Sequence, residues 1–398
     1  MTKSVVTGKI QAIVMSTNTH RESLPTVLTA SQQDASFLSR RVEFSVTPDD
    51  PHRRQAMNFK LAMTAALAVA AWMATAIASA QTIELKLADR LAQDHYIARY
   101  STNFWIEEVQ KASGGVVKIT RYPSERLGKS KDMMTLAKSG ITDIGEFVPG
   151  YLGDALLLST VAELPGILPN ACAASMAYEQ LAKPGGFVDK IELAPQGLRL
   201  LYVVGLPAYQ LFTSKKFDSL ATMSGLKIRS SGPAMDAGLR VLGMVPIRMS
   251  AAELSESFSR GTVDGMAFPS ASVFTYDLQG KTKYGTSDLS FGSSMTFYAI
   301  SIKVWDKLSP AVQKAMAEAG EKTTRHACSL IDREEQDAIK KLVAGSNMAV
   351  VSLNTADRKK FDDQLSTVAQ EWADAADKRG RKGSEALKAF RDAVKPYR

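Results

Sequence analysis

The chain is poor in the residues from which most reactive sites are made. Among 398 residues there are 4 His and 2 Cys, and only His95, His326, Cys172 and Cys328 lie beyond residue 81. So few imidazoles exclude a His-rich metal site. Two thiols exclude the disulfide framework of a small extracellular module. Missing too are a G-x-S-x-G nucleophile elbow, an H-E-x-x-H pair, a P-loop and a G-x-G-x-x-G turn. No catalytic constellation, cofactor or metal is therefore expected. Beyond residue 81 there is no internal repeat and no long basic block. Of 49 Lys+Arg and 41 Asp+Glu, residues 1–80 hold 8 and 5, which leaves the remainder with a mild excess of +5. That does not imply nucleic acid, but it suits an anionic small ligand.

What is present begins with an export pattern. Residues 1–56 are polar, rich in Ser and Thr and without sustained period; they read as a disordered upstream extension ahead of a start at Met57. Met57-Asn58-Phe59-Lys60 then leads into twenty residues without a charge, Leu61 to Ala80, ending in Ala78-Ser79-Ala80. A short basic start, an apolar middle and small residues before the break describe a secretory signal peptide over 57–80. A membrane anchor is the competing reading; the cleavage-type ending argues against it. The remaining chain is long enough for two domains. Export would permit Cys172 and Cys328 to pair, yet Cys328 reads as an ordinary packed thiol inside a helix.

The segments beyond residue 81 alternate between strand and helix patterns. Ile83 to Leu87, Val116 to Thr120 and Ile141 to Phe147 read as strands, separated by helices over 96–111 and 130–139. Leu198 to Gly205, Leu226 to Arg229, Val263 to Phe268 and Met295 to Ile302 read as further strands, with helices over 234–242 and 251–259. This order indicates an α/β fold with crossover helices. Ser309 and Pro310 are a good N-cap and first turn for a helix reaching Leu342-Val343, about 50 Å at 1.5 Å per residue. Such a helix exceeds one small domain and is expected to cross two, with Gly320 as a weak point or bend. A strand over 348–353 and helices over 355–378 and 384–394 finish the chain.

One block carries chemistry: Gly225-Leu226-Lys227-Ile228-Arg229, followed by Val263-Asp264-Gly265 and Phe268-Pro269. It puts Arg229 at the end of a short apolar strand, where open α/β sheets bind ligands. A planar guanidinium there suits a carboxylate; a surface arginine is the plainer alternative. Asp264 before Gly265 reads as a turn device rather than a general base. His95 either lines a cleft or caps the helix that follows it.

Leu127-Gly128, Gly140-Ile141-Thr142-Asp143-Ile144, Glu163-Leu164-Pro165-Gly166, the 225–269 block and the helix after Leu308-Ser309-Pro310 occur in one order. Together they resemble the solute-binding proteins of tripartite ATP-independent periplasmic (TRAP) transporters, the C4-dicarboxylate-binding protein family, over essentially all of 81–398. The resemblance implies a two-lobed periplasmic binding protein fold of type II-like α/β architecture, with a ligand cleft between lobes and a long helix spanning both. Lobe I would be 81–205 plus 297–338 and lobe II 206–296 plus 339–398. It implies a non-enzymatic protein that closes on an organic acid held by Arg229 and delivers it to small and large membrane subunits. An exported hydrolase or lyase would need a clustered acid, base and nucleophile; a sensor would share the cleft but serve a receptor.

The departures point to the ligand. Sialic-acid-binding and dicarboxylate-binding members carry Asn before the proline, where this chain has Phe268. Tyr209 stands where sialic-acid-type members place a second arginine. Arg90 follows the first strand where many relatives carry a smaller polar residue, and Val148 and Tyr151 fall at the cleft. Arg229, Arg90, Tyr209, Phe268, His95, Val148 and Tyr151 are thus the expected ligand-binding set, and a monocarboxylate with a hydrophobic or aromatic body is the expected ligand.

Overall fold

A computed structural model describes residues 82–345 and 348–397. The expected upstream extension and signal peptide lie outside the described residues.

Among the described residues eleven strands form two sheets: β1 (Ile83–Ala88), β2 (Val117–Tyr122), β3 (Ile144–Phe147), β4 (Leu198–Gly205), β5 (Gln210–Thr213), β6 (Lys227–Ser230), β7 (Val245–Arg248), β8 (Gly265–Phe268), β9 (Tyr284–Gly285), β10 (Met295–Ser301) and β11 (Ala349–Val350). One sheet runs β2-β1-β3-β10-β4 and the other β11-β9-β5-β8-β6-β7. In the first, β1 is parallel to β2 and β3, and β10 is antiparallel to β3 and β4. In the second, β6 is parallel to β7 and β8, and β5 is antiparallel to β8. The central strands β3, β6 and β8 are short and almost wholly buried, as sheets covered on both faces require.

The chain passes from one sheet to the other after β4 and returns before β10, and the two passages are bonded to each other. Tyr209 N donates to Gly292 O at 2.8 Å, Phe291 N to Tyr209 O at 3.1 Å and Leu206 N to Ser294 O at 3.0 Å. Two lobes joined by paired crossing segments are the geometry of a hinge.

The helix Pro310–Gly345 is continuous and packs on β4 and on helices Phe104–Ala112 and Ala171–Ala182, then on helix Ser270–Thr275 beside the second sheet. Two of its carboxylates cap helices on either side. Asp332 accepts from the amides of Ala171 and Cys172 at 2.8 and 3.2 Å, and Glu335 from those of Ser270 and Ala271 at 2.8 and 2.9 Å. Anions at helix N-termini satisfy free amides and complement the dipole. The expected span across two lobes thus has specific fastenings.

Several expectations need correction. Gly320 is not a bend: a Cβ there would stand 1.9 Å from the Leu201 carbonyl oxygen, so glycine lets the helix lie directly on β4. Cys172 and Cys328 are bonded to each other, with Cα atoms 4.6 Å apart; Asp332, one turn beyond Cys328, binds the same helix end as Cys172 and brings the sulfurs together. The helix expected over 355–378 is two, Thr355–Ser366 and Val368–Lys378, parted at Thr367. The strand expected over 348–353 shortens to Ala349–Val350.

Candidate functional site

Arg229 is the third residue of β6 and is 1 % exposed. The strand starts from a turn in which Gly225 has φ 81° and its amide donates to Gly243 O at 2.8 Å. Asp264 fixes the same strand: its carboxylate accepts from Lys227 N at 2.9 Å and pairs with Lys215 Nζ at 2.8 Å. The Val263-Asp264-Gly265 motif is therefore a register pin for β6, as the turn-device reading expected.

The guanidinium is held entirely by neutral oxygens. Nε donates to Met249 O at 3.1 Å, Nη1 to Ala267 O at 3.4 Å and Nη2 to Tyr151 Oη at 3.0 Å. Among the described residues no carboxylate comes within ion-pair distance of it. Tyr151 belongs to the helical turn Pro149–Leu152 that leaves β3, so this bond joins the strand ends of the two sheets. Its hydroxyl also accepts from Ala251 N at 3.0 Å. Val148, buried, caps that turn, and its carbonyl accepts from Tyr151 N at 3.0 Å.

Aromatic rings continue from the guanidinium. Phe268 lies 5.3 Å from Arg229 Cζ, a cation–π distance. Tyr209 meets Phe268 edge-on at 6.1 Å, and Tyr276 meets it at 5.6 Å. Tyr276 stands edge-on to His95 at 5.2 Å, and His95 stacks on Tyr96 at 4.9 Å. Burial pushes the Tyr276 hydroxyl up to about 12, against the pull of Arg90 and Arg229, both close enough to act on it.

Arg90 follows β1 and is engaged by Glu146 of β3. Its Nη2 is 3.3 Å from Glu146 Oε1, its amide donates to Glu146 Oε2 at 2.9 Å, and Thr296 Oγ1 donates to Oε1 at 3.1 Å. Of the two roles its sequence left open, His95 fills the helix cap, Nδ1 accepting from Ile97 N at 3.2 Å, and its ring joins the aromatic row. Burial, then the nearby Arg90, drives its pKa down to about 3. The imidazole is neutral, with its proton assigned to Nε2 because Nδ1 is an acceptor.

The seven expected residues therefore lie toward one end of the two sheets: six at or beyond the carboxyl ends of β1, β3, β6 and β8, and Tyr209 just ahead of β5, which runs antiparallel to β8. Four participants were not singled out: Tyr276, Tyr96, Glu146 and Glu163. Tyr276 and Tyr96 carry no motif. Glu146 alternates like any strand residue. Glu163 lies in the Glu163-Leu164-Pro165-Gly166 segment, where a lone carboxylate in an apolar stretch is itself a signal. It is fully buried, accepting from Gly150 N at 3.3 Å and Ser294 Oγ at 3.2 Å. Burial raises its pKa to about 7.

Comparison with known proteins agrees with this architecture. The profile of the family described as bacterial extracellular solute-binding protein, family 7, matches residues 88–375. A Comamonas testosteroni protein named outer membrane transporter protein TsaT is 26% identical over 345 residues, covering 84% of this chain and 98% of its own. A TRAP solute-binding protein from Rhodoferax ferrireducens, solved with copurified benzoate, superposes with a TM-score of 0.70 at 22% identity, covering 79% of this chain and 98% of its own. One from Bordetella bronchiseptica, solved with (R)- and (S)-mandelate, gives 0.71 at 24% identity, covering 79% and 100%. The chain belongs to the bacterial extracellular solute-binding proteins of family 7.

Proposed function

We propose that this protein captures an organic monocarboxylate with a hydrophobic or aromatic body in the periplasm and delivers it to the small and large membrane subunits of a TRAP transporter. The observation that carries the reading is Arg229, a buried cation whose hydrogen bonds all go to neutral oxygens. Burying an unpaired charge is expensive, and a ligand carboxylate supplies the missing partner with charge-assisted bonds. Phe268, Tyr209, Val148 and Tyr151 would surround the body of the ligand, with Arg90 and His95 farther along the row of rings. Benzoate and mandelate, named in the structures of two neighbours, are acids of this kind.

The lobes proposed are 81–205 with 297–338 and 206–296 with 339–398; each would be built on one sheet, with Met295 and Thr296 of β10 lying at the boundary. Helix Gly383–Val394 packs on helix Ala171–Ala182, a further tie between the two ranges. Closure on the ligand would turn about the crossing segments.

Titration calorimetry with aromatic and branched monocarboxylates tests the reading. Arg229→Ala is expected to weaken the best ligand at least ~100-fold, or ~2.7 kcal/mol at about 1.4 kcal/mol per decade. Wild-type affinity in that variant would remove the carboxylate argument.

A further inference from the structure

Two buried donors beside the aromatic row have no acceptor: Arg90 Nε and His95 Nε2. Arg90 is 9 % exposed and His95 2 %. Buried donors are almost always satisfied, because an unmet one forfeits its hydration without return. Arg90 spends Nη2 and its amide on Glu146, and His95 spends Nδ1 on the cap of its helix. Each thus leaves a buried N–H unmet, on side chains near enough for Arg90 to act on the imidazole. His95 stands three contacts from Arg229: His95 on Tyr276 at 5.2 Å, Tyr276 on Phe268 at 5.6 Å, and Phe268 on the Arg229 guanidinium at 5.3 Å.

We propose that the ligand carries, remote from its carboxylate, an uncharged oxygen acceptor (a hydroxyl, ether or keto oxygen) that receives hydrogen bonds from Arg90 Nε and His95 Nε2. The proposal rests on the carboxylate reading of Arg229 given above and narrows it from apolar acids to acids with a distal oxygen. Charge decides which oxygen. Glu146 compensates Arg90 at 3.3 Å, and the imidazole is neutral, so the distal donors and their carboxylate sum to about zero. A second ligand carboxylate there would lose its hydration without gaining a free cation. Arg229 is the opposite case: among the described residues no carboxylate lies within ion-pair distance of it, and Glu163, which it acts on from farther away, is held toward its neutral form by burial. The two ends of the site thus ask for different oxygens: anionic at Arg229, neutral at Arg90 and His95. The hydrogen bonds add selectivity because a ligand lacking the oxygen leaves both donors unpaired.

The test is calorimetry on the purified protein with benzoate and phenylacetate, the three hydroxy isomers of each, the matching methyl isomers, and the benzenedicarboxylates. At one ring position the hydroxy acid is expected to bind at least ~10-fold tighter (~1.4 kcal/mol) than both its methyl counterpart and the parent. The dicarboxylates are expected to be weaker than that hydroxy acid. His95→Ser keeps an acceptor for the helix cap and removes the distal donor; it should bring the hydroxy-to-methyl ratio below ~2. Equal binding of hydroxy and methyl isomers at every position, an unchanged ratio in His95→Ser, or a dicarboxylate as the tightest ligand would each overturn the proposal. Those results leave the carboxylate reading standing. That reading fails separately if Arg229→Ala binds the best acid as wild type does, and both fail if no acid of the panel binds.

Discussion

Gly150 and Gly232 meet backbone to backbone: a Cβ on Gly232 would stand 2.4 Å from Gly150 Cα and 2.7 Å from its carbonyl oxygen. Gly150 follows β3 of one sheet and Gly232 follows β6 of the other. Each adjoins the site, since Tyr151 comes next after Gly150 and Arg229 lies three residues before Gly232. The hydrogen bond from Arg229 to Tyr151 and the glycine contact therefore describe one event, the meeting of the two lobes around the guanidinium. Neither glycine is there for a left-handed turn; Gly232 has φ 171°, which any residue adopts. They are glycine because the backbones touch.

It follows that Gly232→Ala should keep both lobes folded and hold them apart. The methyl group meets backbone rather than a flexible side chain, so the contact cannot relax cheaply. The expected result is an unchanged circular dichroism spectrum, at least ~10-fold weaker binding (~1.4 kcal/mol), and no ligand-induced decrease in radius of gyration by X-ray scattering. Full compaction with ligand in this variant would show that the glycine contact does not limit closure.

How far the sequence foretold this site depends on how local each signal was. Arg229 was legible because Gly225, the short Leu-Lys-Ile run and Asp264 specify a turn, a strand and its register within a few residues. The alternating strands and helices and the long helix followed from periodicity, whereas the two-lobed arrangement came with the family resemblance. Tyr276 was not legible: it ends the short helix Ser270–Thr275 and becomes a wall only when the other sheet brings His95 to it. Glu146 needed the pairing of β3 with β1 to meet Arg90. Gly320 was misread because propensity treats glycine as a weakness in a helix, whereas packing on the Leu201 carbonyl requires it. Arg90, Glu146, His95 and Tyr276 are long-range relationships, and no single-segment pattern encodes them.

The disulfide shows the same limit and gives its own test. Cys172 and Cys328 are 156 residues apart in sequence, and only the docking of helix Ala171–Ala182 on the long helix brings them together. Closing so long a loop removes much chain entropy from the unfolded state, about 5 kcal/mol in the simplest model and typically 2–4 in practice. Reduction, or the pair Cys172→Ser and Cys328→Ser, should lower the urea midpoint and the melting temperature by several degrees, with Asp332 still capping the helix. A midpoint that does not move on reduction would mean that the bridge adds nothing beyond the packing already there.

Glu163 should make stability depend on pH in a direction opposite to that of an ion-paired carboxylate. Its folded pKa is about 7 against 4.5 for the free side chain, chiefly through burial. Between those values the folded chain holds a proton that the unfolded chain has released. The stabilisation from this group is therefore full below pH 4.5 and is lost as pH rises through 7. The difference amounts to on the order of 3 kcal/mol between pH 4.5 and 8. His95 works the other way, because its folded pKa of about 3 lies below the ordinary 6.5; its contribution falls away as pH drops through 6.5. The wild-type profile is a sum in which the two oppose each other, so the variant Glu163→Gln isolates the carboxyl. Glutamine keeps an oxygen for Gly150 N and Ser294 Oγ and cannot ionise. Measured by urea unfolding, the stability of Glu163→Gln relative to wild type should rise by roughly 2–3 kcal/mol from pH 5 to pH 8. A difference that stays constant across that range would show that Glu163 is not held protonated by its burial, and that its unbonded Oε2 finds a partner when ionised.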